Sequence, residues 1–406
     1  MKSIGEALRE IVPRFPVLGP ERVPLIEAGG RVLTEDVHAT TELPAFDNSA
    51  MDGYAVRHAE LHRGPLRLHG ESRAGAAALA RLPDGCAMRI FTGAPLPPGA
   101  DTVVIQENAT VDDGQVCFDP LPEAGANVRR RGSDLQLGAL AVGAGRPLGP
   151  GEVGLLAAQG HHTVSVHRRP RVAILSTGDE LRDIGHATEP GTIVNTNAYS
   201  LAVQARNAGG EPWVLPAAPD TLEEISQRLQ QALAADLVLS IGGVSVGEYD
   251  FVGLAFERAG IRRHLWKVAL KPGKPLLFGT GGDTPVLGLP GNPVSAMVTF
   301  EVFVRPGLSR MQGLRAPYAA PIEVELASEH RRRPGRTELA RARLDRRAGR
   351  LVATLHPLQG SGSLPSMAGV DALVIFPGER ELFEAGERLR ALPLGAAGRS
   401  AEPPFD

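Results

Sequence analysis

The stretch RVAILSTGDEL at residues 171–181 predicts a buried β-strand that ends in a polar loop, because residues 172–175 are all apolar. The stretch NTNAYSLAVQARNAGG at residues 195–210 follows and predicts a helix that ends at a glycine pair. Strand and helix patterns keep alternating for about another hundred residues. This alternation is typical of βαβ units, so the sequence predicts an α/β domain with a mostly parallel sheet over residues 169–315.

The sequence before this domain has other patterns. Residues 4–11 carry apolar side chains at helical spacing, and a second short helix is predicted to begin near Glu21. Residues 51–140 contain short β-prone runs, with Asp113-Gly114 as a hairpin turn. We therefore expect a helical N-terminal segment that is interrupted by a β-rich insert.

The sequence after the α/β domain changes to a period of two. Residues 316–395 contain short alternating strands, and Ala348-Gly349 is placed as a hairpin turn between two of them. This pattern predicts a small separate β domain of the barrel type. The remaining residues, 396–406, are predicted to form a disordered tail.

The composition excludes several classes of protein. The 406 residues carry a net charge of −3, which argues against a dedicated nucleic-acid binder. No apolar run is long enough to span a membrane, and the N-terminus has no secretory leader. Cys86 and Cys117 are the only cysteines, so a disulfide framework or a site of several thiolates is excluded. A reducing cytoplasm is the simplest compartment, and a single disulfide between the two cysteines is the alternative.

Lysine usage is unusual. The chain has 39 arginines and 4 lysines, and three of those lysines, Lys267, Lys271 and Lys274, lie in the segment WKVALKPGKP. An ammonium group is a compact, mobile charge, whereas a guanidinium is a planar fork. A site for phosphate or another oxyanion would favour lysine here, although coincidence in a short loop is the alternative.

The loops that follow the predicted parallel strands are candidate ligand sites, since ligands bind at the carboxyl ends of such strands. Asp179 and Glu180 directly follow the first strand, where they could cap a helix or reach Mg²⁺ or a ribose hydroxyl. Asp220 precedes a helix and, with Glu223, fits a capping box, which is a sufficient structural reason for it.

Two further loops carry glycine and proline. Gly242-Gly243 follows a buried strand, so the backbone there could approach an anion, and Asp250 begins the next helix. In GLPGNPVSA, Asn292 is a predicted N-cap and Pro293 the first helical residue, with free amides that could bind an anion. A rigid connector is the alternative for this loop.

The sequence lacks the best-known nucleotide-binding motifs. Neither a Walker A motif nor GxGxxG after a strand is present, and HExxH and the kinase motifs are absent as well. The loops therefore predict an anion-binding α/β domain with carboxylates at its rim. Carboxylates beside phosphates indicate a bridging Mg²⁺.

Seven ordered sequence blocks identify a family. Together they resemble the molybdopterin molybdenumtransferase family, which acts in the last step of molybdenum cofactor synthesis. The blocks are FDNSAMDGYAV (46–56), FTGAPLPPGADTVV (91–104), VRRRGSDL (128–135), LSTGDEL (175–181), GGVSVGEYD (242–250), WKVALKPGKP (266–275) and LGLPGNPVSA (287–296).

The resemblance implies a fold of four parts and a homodimer. An elongated helical segment (1–50 and 141–168) would hold the β-rich insert (51–140). A domain like that of molybdopterin adenylyltransferases (169–315) and a β domain (316–395) would follow. The active site would lie between the α/β and C-terminal domains of one subunit and the N-terminal part of its partner.

The resemblance also implies the reaction. Adenylylated molybdopterin and molybdate would be the substrates, the phosphoanhydride would be hydrolysed with release of AMP, and molybdenum would enter the dithiolene with the help of Mg²⁺. The substrate supplies the sulfur ligands, in agreement with the few cysteines. A transient contact with the preceding adenylyltransferase is also implied.

The family motifs imply roles for fourteen residues of this sequence. In the family's QGSH pattern this chain has QGSGSLPS, which departs from it around Ser361. The implied catalytic residues are Asp52, Lys267 and Lys271; the implied metal ligands are Glu180, Asp220 and Asp250; the implied substrate contacts are Thr92, Asp134, Gly242, Gly243, Ser245, Pro290, Pro293 and Ser361.

Two other functions are considered. The first is molybdopterin adenylyltransferase activity, but stand-alone enzymes of that type lack the N-terminal blocks. The second is a scaffold that uses the same domains without catalysis, but such relatives carry a further domain on a long linker, and this sequence shows none. The sequence does not distinguish a preference for tungstate from a preference for molybdate.

Overall fold

The structure is a computed structural model that describes residues 1–75, 80–186, 189–243 and 251–395. Its α-helices are α1 (Ile4–Ile11), α2 (Pro150–Ala158), α3 (Thr196–Asn207), α4 (Leu222–Ala232), α5 (Phe251–Arg258), α6 (Pro293–Thr299) and α7 (Arg305–Met311). Short 3₁₀ helices span Val12–Arg14, Leu25–Glu27, His58–Arg63, Gln106–Asn108 and Leu364–Met367, and a π-helical stretch, Phe300–Val304, joins α6 to α7.

The strands of the first 170 residues are β1 (Pro20–Pro24), β2 (Val37–His38), β3 (Asn48–Ser49), β4 (Gly53–Val56), β5 (Leu66–Ser72), β6 (Cys86–Ile90), β7 (Thr102–Ile105), β8 (Ala109–Asp112), β9 (Gln115–Phe118), β10 (Val128–Arg129), β11 (Leu140–Val142) and β12 (Thr163–His167). Those of the rest are β13 (Arg171–Ser176), β14 (Leu181–Arg182), β15 (Ile193–Val194), β16 (Glu211–Val214), β17 (Leu237–Ile241), β18 (Arg262–Trp266), β19 (Leu270–Lys271), β20 (Leu277–Gly281), β21 (Thr284–Leu289), β22 (Ile322–Leu326), β23 (His330–Arg331), β24 (Thr337–Arg347), β25 (Arg350–Leu355), β26 (Ala372–Phe376), β27 (Leu382–Phe383) and β28 (Arg388–Pro393).

A six-stranded sheet forms the centre of the α/β domain. Its order is β16-β13-β17-β21-β20-β18, and the first four strands are parallel, as the alternating pattern predicted. The apolar run of β13 is buried on both faces of the sheet. Val172 and Ile174 face one core with α3, α6 and α7, whereas Ala173 and Leu175 face a second core with α4 and α5.

The N-terminal helix belongs to this α/β core. α1 is capped by a reciprocal pair, Ser3 and Glu6, and its buried residues Ala7 and Ile11 join the first of the two cores. Phe15, just beyond, stacks on Phe278 of β20 with ring centroids 6.3 Å apart.

The helix predicted near Glu21 is wrong. Residues 20–24 form β1, which pairs antiparallel with β12 and places Glu21 opposite Val166. The partner strand is some 140 residues away in the sequence, so no local pattern could reveal it.

The β-rich insert contains a six-stranded sheet of order β7-β4-β6-β5-β9-β8. Asp113 and Gly114 connect β8 to β9 with φ angles of 38° and 75°, as the hairpin prediction required. Apolar residues pack on both faces, around Val104 on one side and Val103 on the other.

The C-terminal strands close into a small barrel, in agreement with the predicted fold. β24, β25, β22, β28 and β26 pair in turn, and β26 returns to β24. Ala348 and Gly349 form the predicted turn between β24 and β25, with φ angles of 48° and 79°. β19, from the lysine segment of the α/β domain, adds to the edge of β24.

No helix in the described ranges of the chain is long and apolar enough to cross a membrane.

Candidate active site

A pocket of about 500 Å³ opens at the carboxyl ends of β13, β17 and β21, the edge at which parallel sheets bind ligands. Its lining comes from five loops, the short strands β14 and β15 and the start of α3: Ser176, Thr177, Glu180, Leu181, Ile193, Val194, Asn195, Thr196, Asn197, Asp220, Ile241, Gly242, Gly243, Pro275, Pro290, Gly291, Asn292 and Pro293. Six of the sequence-predicted site residues therefore lie in one place.

Backbone hydrogen bonds fix the loops of this pocket to one another. The Thr177 amide donates to the Ile241 carbonyl at 2.9 Å, and the Gly242 amide donates to the Leu289 carbonyl at 3.1 Å. The Asp220 amide donates to Asp179 Oδ1 at 3.1 Å, which joins the loops after the first two strands. The pocket is therefore preorganised by the sheet that supports it.

The glycine pair lets the backbone come close to neighbouring groups. Gly242 has a φ of 96°, and a Cβ there would lie 2.8 Å from the Thr177 carbonyl oxygen. Gly243 has a φ of 62°, and a Cβ there would lie 2.3 Å from Val252 Cγ2. Both positions therefore require glycine, as the loop pattern suggested.

Two polar side-chain atoms at the pocket lack a hydrogen-bond partner within the described part of the chain. They are Thr177 Oγ1 and Asn197 Oδ1, both inaccessible to solvent. The amide of Asn197 is held in place, because its Nδ2 donates to the Gly291 carbonyl at 2.6 Å. Buried groups of this kind cost free energy unless something binds them, which favours a polar ligand.

Carboxylates crowd one side of the pocket. The pKa of Asp220 is raised, first by partial desolvation and then by the negative charges of Asp179 and Glu180. A cation placed among these groups would remove the repulsion. The carboxylate rim predicted from the sequence is therefore present.

The fit to Mg²⁺ follows from this crowding. No group of three or more His, Cys, Asp or Glu side chains is preformed around a metal position among the residues that the structure describes. Mg²⁺ seldom uses such a cage: it keeps several waters and binds one or two carboxylates together with phosphate oxygens. Glu180 and Asp220 fit this second kind of site. Asp250 and Ser245 lie outside the described residues.

The predicted cap of α4 is shifted by one residue. Thr221, not Asp220, is the N-cap, and its hydroxyl accepts a hydrogen bond from the Glu224 amide at 3.3 Å. Thr221 and Asp220 are both acceptable cap residues, so the sequence alone did not separate them. The correction leaves the Asp220 carboxylate without a capping role and available to the pocket.

The loop before α6 is capped from the C-terminal barrel. Asn292 is the N-cap and Pro293 the first helical residue, as predicted. The Val294 amide donates to the Ser361 carbonyl at 3.1 Å, and Asn292 Nδ2 donates to Ser361 Oγ at 3.1 Å. One amide expected to be free for an anion is thus already used, and Ser361 sits beside the pocket without lining it.

The lysine segment reaches the pocket through Pro275, whereas the lysine side chains do not line it. Lys271 Nζ forms an ion pair with Glu338 of the barrel at 2.8 Å. Lys267 has a φ of 78°, and its ammonium lies 5.3 Å from the centre of the Trp266 ring. The sequence did not point to Glu338, whose role depends on pairing between domains.

A second group of predicted residues lies apart from the pocket lining. The Asp52 carboxylate accepts hydrogen bonds from the Thr92 amide at 2.7 Å and the Thr92 hydroxyl at 2.8 Å, both to Oδ1. These bonds, the amide first, lower the pKa of Asp52. Asp134 is exposed and accepts a hydrogen bond from Ser133 Oγ. Within one chain, none of Asp52, Thr92 and Asp134 lines the pocket.

Asn195 and Asn197 were missed by the sequence reasoning. Asn195 caps α3 and accepts a hydrogen bond from Ser176 Oγ at 3.0 Å, which joins the end of β13 to the helix. The signal was present in the run NTN directly before the apolar helix pattern. Two asparagines at the start of a helix that follows a strand are a pattern that indicates a polar site, as the carboxylates do.

Comparison with known families covers most of the chain. Residues 2–160 match the MoeA N-terminal region (domain I and II), residues 173–310 a probable molybdopterin binding domain, and residues 323–394 the MoeA C-terminal region (domain IV). The matched segments follow one another in the order of the regions described above.

Individual relatives agree along the whole length. The molybdopterin molybdenumtransferases of Nostoc and Haemophilus influenzae are each 35% identical to this chain. Each alignment covers 97% of this chain, together with 94% of the Nostoc protein and 99% of the Haemophilus protein. A crystal structure of the molybdopterin biosynthesis MoeA protein from Pyrococcus has a TM-score of 0.81 at 30% identity, and covers 96% of this chain and 98% of its own. This chain is therefore a member of the molybdopterin molybdenumtransferase (MoeA) family.

Proposed function

We propose that this chain is an enzyme that inserts molybdenum from molybdate into adenylylated molybdopterin, with hydrolysis of the phosphoanhydride and release of AMP. Membership of the family supports the transferase activity. The observation that carries the proposal is the pocket at the carboxyl ends of the parallel strands. It combines a tightly packed glycine pair, Gly242 and Gly243, a Thr177 hydroxyl that has no hydrogen-bond partner among the described residues, and a rim of carboxylates.

Phosphate binding is assigned to the glycine side of the pocket. Gly242 and Gly243 line the pocket, where their backbone would face the phosphate oxygens, and the Thr177 hydroxyl can donate to one of these oxygens. Asn197 and the loop Pro290–Pro293 would form the facing wall and orient the nucleotide end of the substrate.

Glu180 and Asp220 are the residues we assign to Mg²⁺, with Asp250 as a third candidate from the sequence. When bound, the ion would neutralise charge on the phosphoanhydride and its leaving group. The raised pKa of Asp220 supports this placement, because partial desolvation and then the negative charges of Asp179 and Glu180 raise it, and a cation would offset both.

Lys267 and Lys271 are assigned to oxyanion binding, for molybdate or for phosphate oxygens. An ammonium has three N–H donors, so Lys271 keeps two after its bond to Glu338. Ser361 lies beside the same pocket through its bonds to Asn292 and Val294, which supports a substrate contact from the barrel.

Asp52 is assigned to orienting water or metal from a second subunit. An aspartate is ionised at neutral pH, and the bonds from Thr92, which lower the pKa of Asp52 further, keep its carboxylate an acceptor, as either role requires. Since Asp52, Thr92 and Asp134 do not line the pocket of their own chain, a homodimer in which they complete the partner's pocket is part of the proposal. A transient contact with the adenylyltransferase that supplies the substrate is a further part.

The experiment is a coupled assay with purified chain, adenylylated molybdopterin and molybdate. We expect AMP release and formation of active cofactor that both require molybdate and Mg²⁺. AMP release that is independent of molybdate, or formation of adenylylated molybdopterin and pyrophosphate from molybdopterin and ATP, would contradict the proposal. The second outcome would support the adenylyltransferase alternative, which the matches to the N- and C-terminal regions do not favour.

A cytoplasmic location completes the proposal. Cys86 and Cys117 are both free thiols. This agrees with a reducing compartment. The choice between molybdate and tungstate is tested by replacing one oxyanion with the other in the same assay.

A further inference from the structure

Glu338 is a buried carboxylate at the junction between the barrel and the lysine segment. The residue is 3% exposed and stands opposite Lys271 in the parallel pairing of β24 with β19. Its Oε1 lies 2.8 Å from Lys271 Nζ. Two neighbouring bonds strengthen this junction: the Thr337 amide donates to the Ala269 carbonyl, and Arg336 Nη1 donates to the Leu270 carbonyl, both at 3.1 Å.

The other carboxylate oxygen of Glu338 faces a fixed guanidinium. Arg332 Nε lies 3.3 Å from Oε2, and the Arg332 side chain is 1% exposed. Its terminal nitrogens donate to the backbone carbonyls of Phe376, Pro377, Arg333 and Arg336. Arg332 is therefore fixed by its bonds to the backbone. It places a positive charge beside Glu338 Oε2, although Arg332 Nε and Oε2 form no hydrogen bond.

A histidine completes the surroundings of the carboxylate. His330 Nε2 lies 3.7 Å from Glu338 Oε2, and the His330 ring packs on Phe376 with centroids 4.4 Å apart. Burial alone would raise the pKa of Glu338, but the interactions with His330 and Lys271 outweigh it and lower the pKa to about 2. The carboxylate is thus ionised throughout the physiological range.

Lys271 is the mobile member of this cluster. Its side chain is 44% exposed, whereas those of Glu338 and Arg332 are almost fully buried. A long, flexible ammonium is a poor ligand for a small oxyanion unless its position is restricted. A fixed carboxylate that takes one of its three donors supplies this restriction and leaves two donors for a ligand.

We propose that Glu338 is a positioning residue that fixes the Lys271 ammonium for oxyanion binding and thereby makes the site depend on the barrel. The proposal rests on the proposed function, in which Lys271 binds an oxyanion. Glu338 itself touches no substrate in this account. Its effect is exerted through Lys271, so the two side chains must act as a unit.

The first test measures the position of Lys271 without using activity. Because the chain has only four lysines, acylation by an amine-reactive reagent can be followed at each one by peptide mass spectrometry. The contact with the buried Glu338 carboxylate at 2.8 Å restricts access to the Lys271 amine, so Glu338→Gln, which removes this ion pair, is expected to speed modification of Lys271 roughly fivefold to tenfold. Modification of Lys267 should stay unchanged and serves as an internal control. An equal rate at Lys271 in both proteins would overturn the proposal.

The second test separates the two substrates in the coupled assay. Glu338→Gln is expected to raise the KM for molybdate roughly tenfold or more, and to leave the KM for adenylylated molybdopterin within about twofold. Glu338→Asp keeps the charge and should recover part of the loss. If the KM values for both substrates rise together, or if Glu338→Asp is as impaired as Glu338→Gln, Glu338 has a general structural role.

A double-mutant cycle decides whether the effect passes through Lys271. In a Lys271→Ala background, Glu338→Gln should add no further loss, whereas independent roles would give multiplied losses. Glu325→Gln is the matched control, because it removes another barrel carboxylate, paired with Arg350 at 3.0 Å, that does not contact Lys271. The two conclusions can fail separately. If the wild-type protein is inactive in the assay but Glu338→Gln still speeds acylation of Lys271, the proposed function is refuted, whereas the positioning of Lys271 by Glu338 is supported.

Discussion

The Ser361 carbonyl accepts a hydrogen bond from the Val294 amide at 3.1 Å, so a loop of the C-terminal barrel caps the helix that begins at the pocket. A second bond runs from Asn292 Nδ2 to Ser361 Oγ. Beside the pocket, the barrel therefore contacts the α/β domain here and at the pairing of Lys271 with Glu338. Both points lie beside loops that form the pocket or lead into it, which gives the barrel a direct part in shaping the site.

Removing the Ser361 hydroxyl tests the second of these bonds. Ser361→Ala keeps the carbonyl that caps Val294 and loses only the acceptor for Asn292 Nδ2. We expect a loss of about 1 kcal/mol or less in the free energy of unfolding, together with a clear rise in the KM for substrate. Urea unfolding and steady-state kinetics measure the two effects. Ser363→Ala, on the same loop, is the control, and an equal kinetic change in it would remove the special role of Ser361.

The glycine pair offers a test with an internal standard. Gly243→Ala combines a φ of 62° with a Cβ only 2.3 Å from Val252 Cγ2, whereas Gly260→Ala has a φ of 76° and open space around its Cβ. Gly260→Ala should cost about 1 kcal/mol of unfolding free energy from backbone strain alone. Gly243→Ala should cost about 1–3 kcal/mol more because the core must shift, and it should abolish activity. Equal unfolding free energies in the two variants would show that the loop relaxes.

Asp220→Asn tests the crowding of carboxylates. The folded-state pKa of Asp220 is raised, so its ionised form destabilises the folded chain, and this penalty grows as pH rises through that pKa. Without Mg²⁺ at pH 7, Asp220→Asn should be as stable as the wild type or more stable, by less than about 1 kcal/mol because solvent screens the exposed group. Activity should fall at least a hundredfold, as for Glu180→Gln. Urea unfolding at pH 5 and pH 7 checks the sign, and a variant less stable than wild type would contradict it.

Thr92→Ala tests the state of Asp52. Its hydroxyl lowers the pKa of the Asp52 carboxyl, although the Thr92 amide contributes more and remains in the variant. The pKa of Asp52 should therefore rise in part, and the acid limb of the pH–activity profile should move to higher pH. Asp52→Ala should remove activity with little change in the melting temperature. A large fall in melting temperature would instead indicate a structural role for Asp52.

The sequence predicted those parts of the fold that local patterns encode. The continuous apolar run of β13 identified a strand buried on both faces, and the dipeptides Asp113-Gly114 and Ala348-Gly349 adopt the positive φ angles that their hairpins need. What it missed depends on distant partners. β1 carries no local strand pattern, because it is stabilised by β12 about 140 residues away, and the Lys271–Glu338 pair joins two domains.

The candidate site divides in the same way. Glu180, Asp220 and the Gly242-Gly243 pair follow strands of one parallel sheet, so topology alone brings them together in the pocket. Asp52 and Thr92 were paired by the structure but not by the sequence, because they lie 40 residues apart in the insert. The sequence does not reveal which side chains are buried, and burial is what distinguishes Glu338 from the exposed glutamates of the barrel.

The proposed homodimer is tested most sharply by mixing two severely impaired variants. If Asp52 of one subunit completes the pocket served by Lys271 of the other, a heterodimer of Asp52→Ala and Lys271→Ala chains has one pocket with both defects and one with neither. Unfolding and refolding an equimolar mixture should then restore about a quarter of wild-type activity, since half the dimers are mixed and each has one intact pocket of two. Each variant refolded alone should keep only its own low residual activity, and light scattering should show dimers throughout. A mixture that remains inactive while heterodimers form would mean that Asp52 and Lys271 serve the same pocket from one chain, or that Asp52 has no part in it.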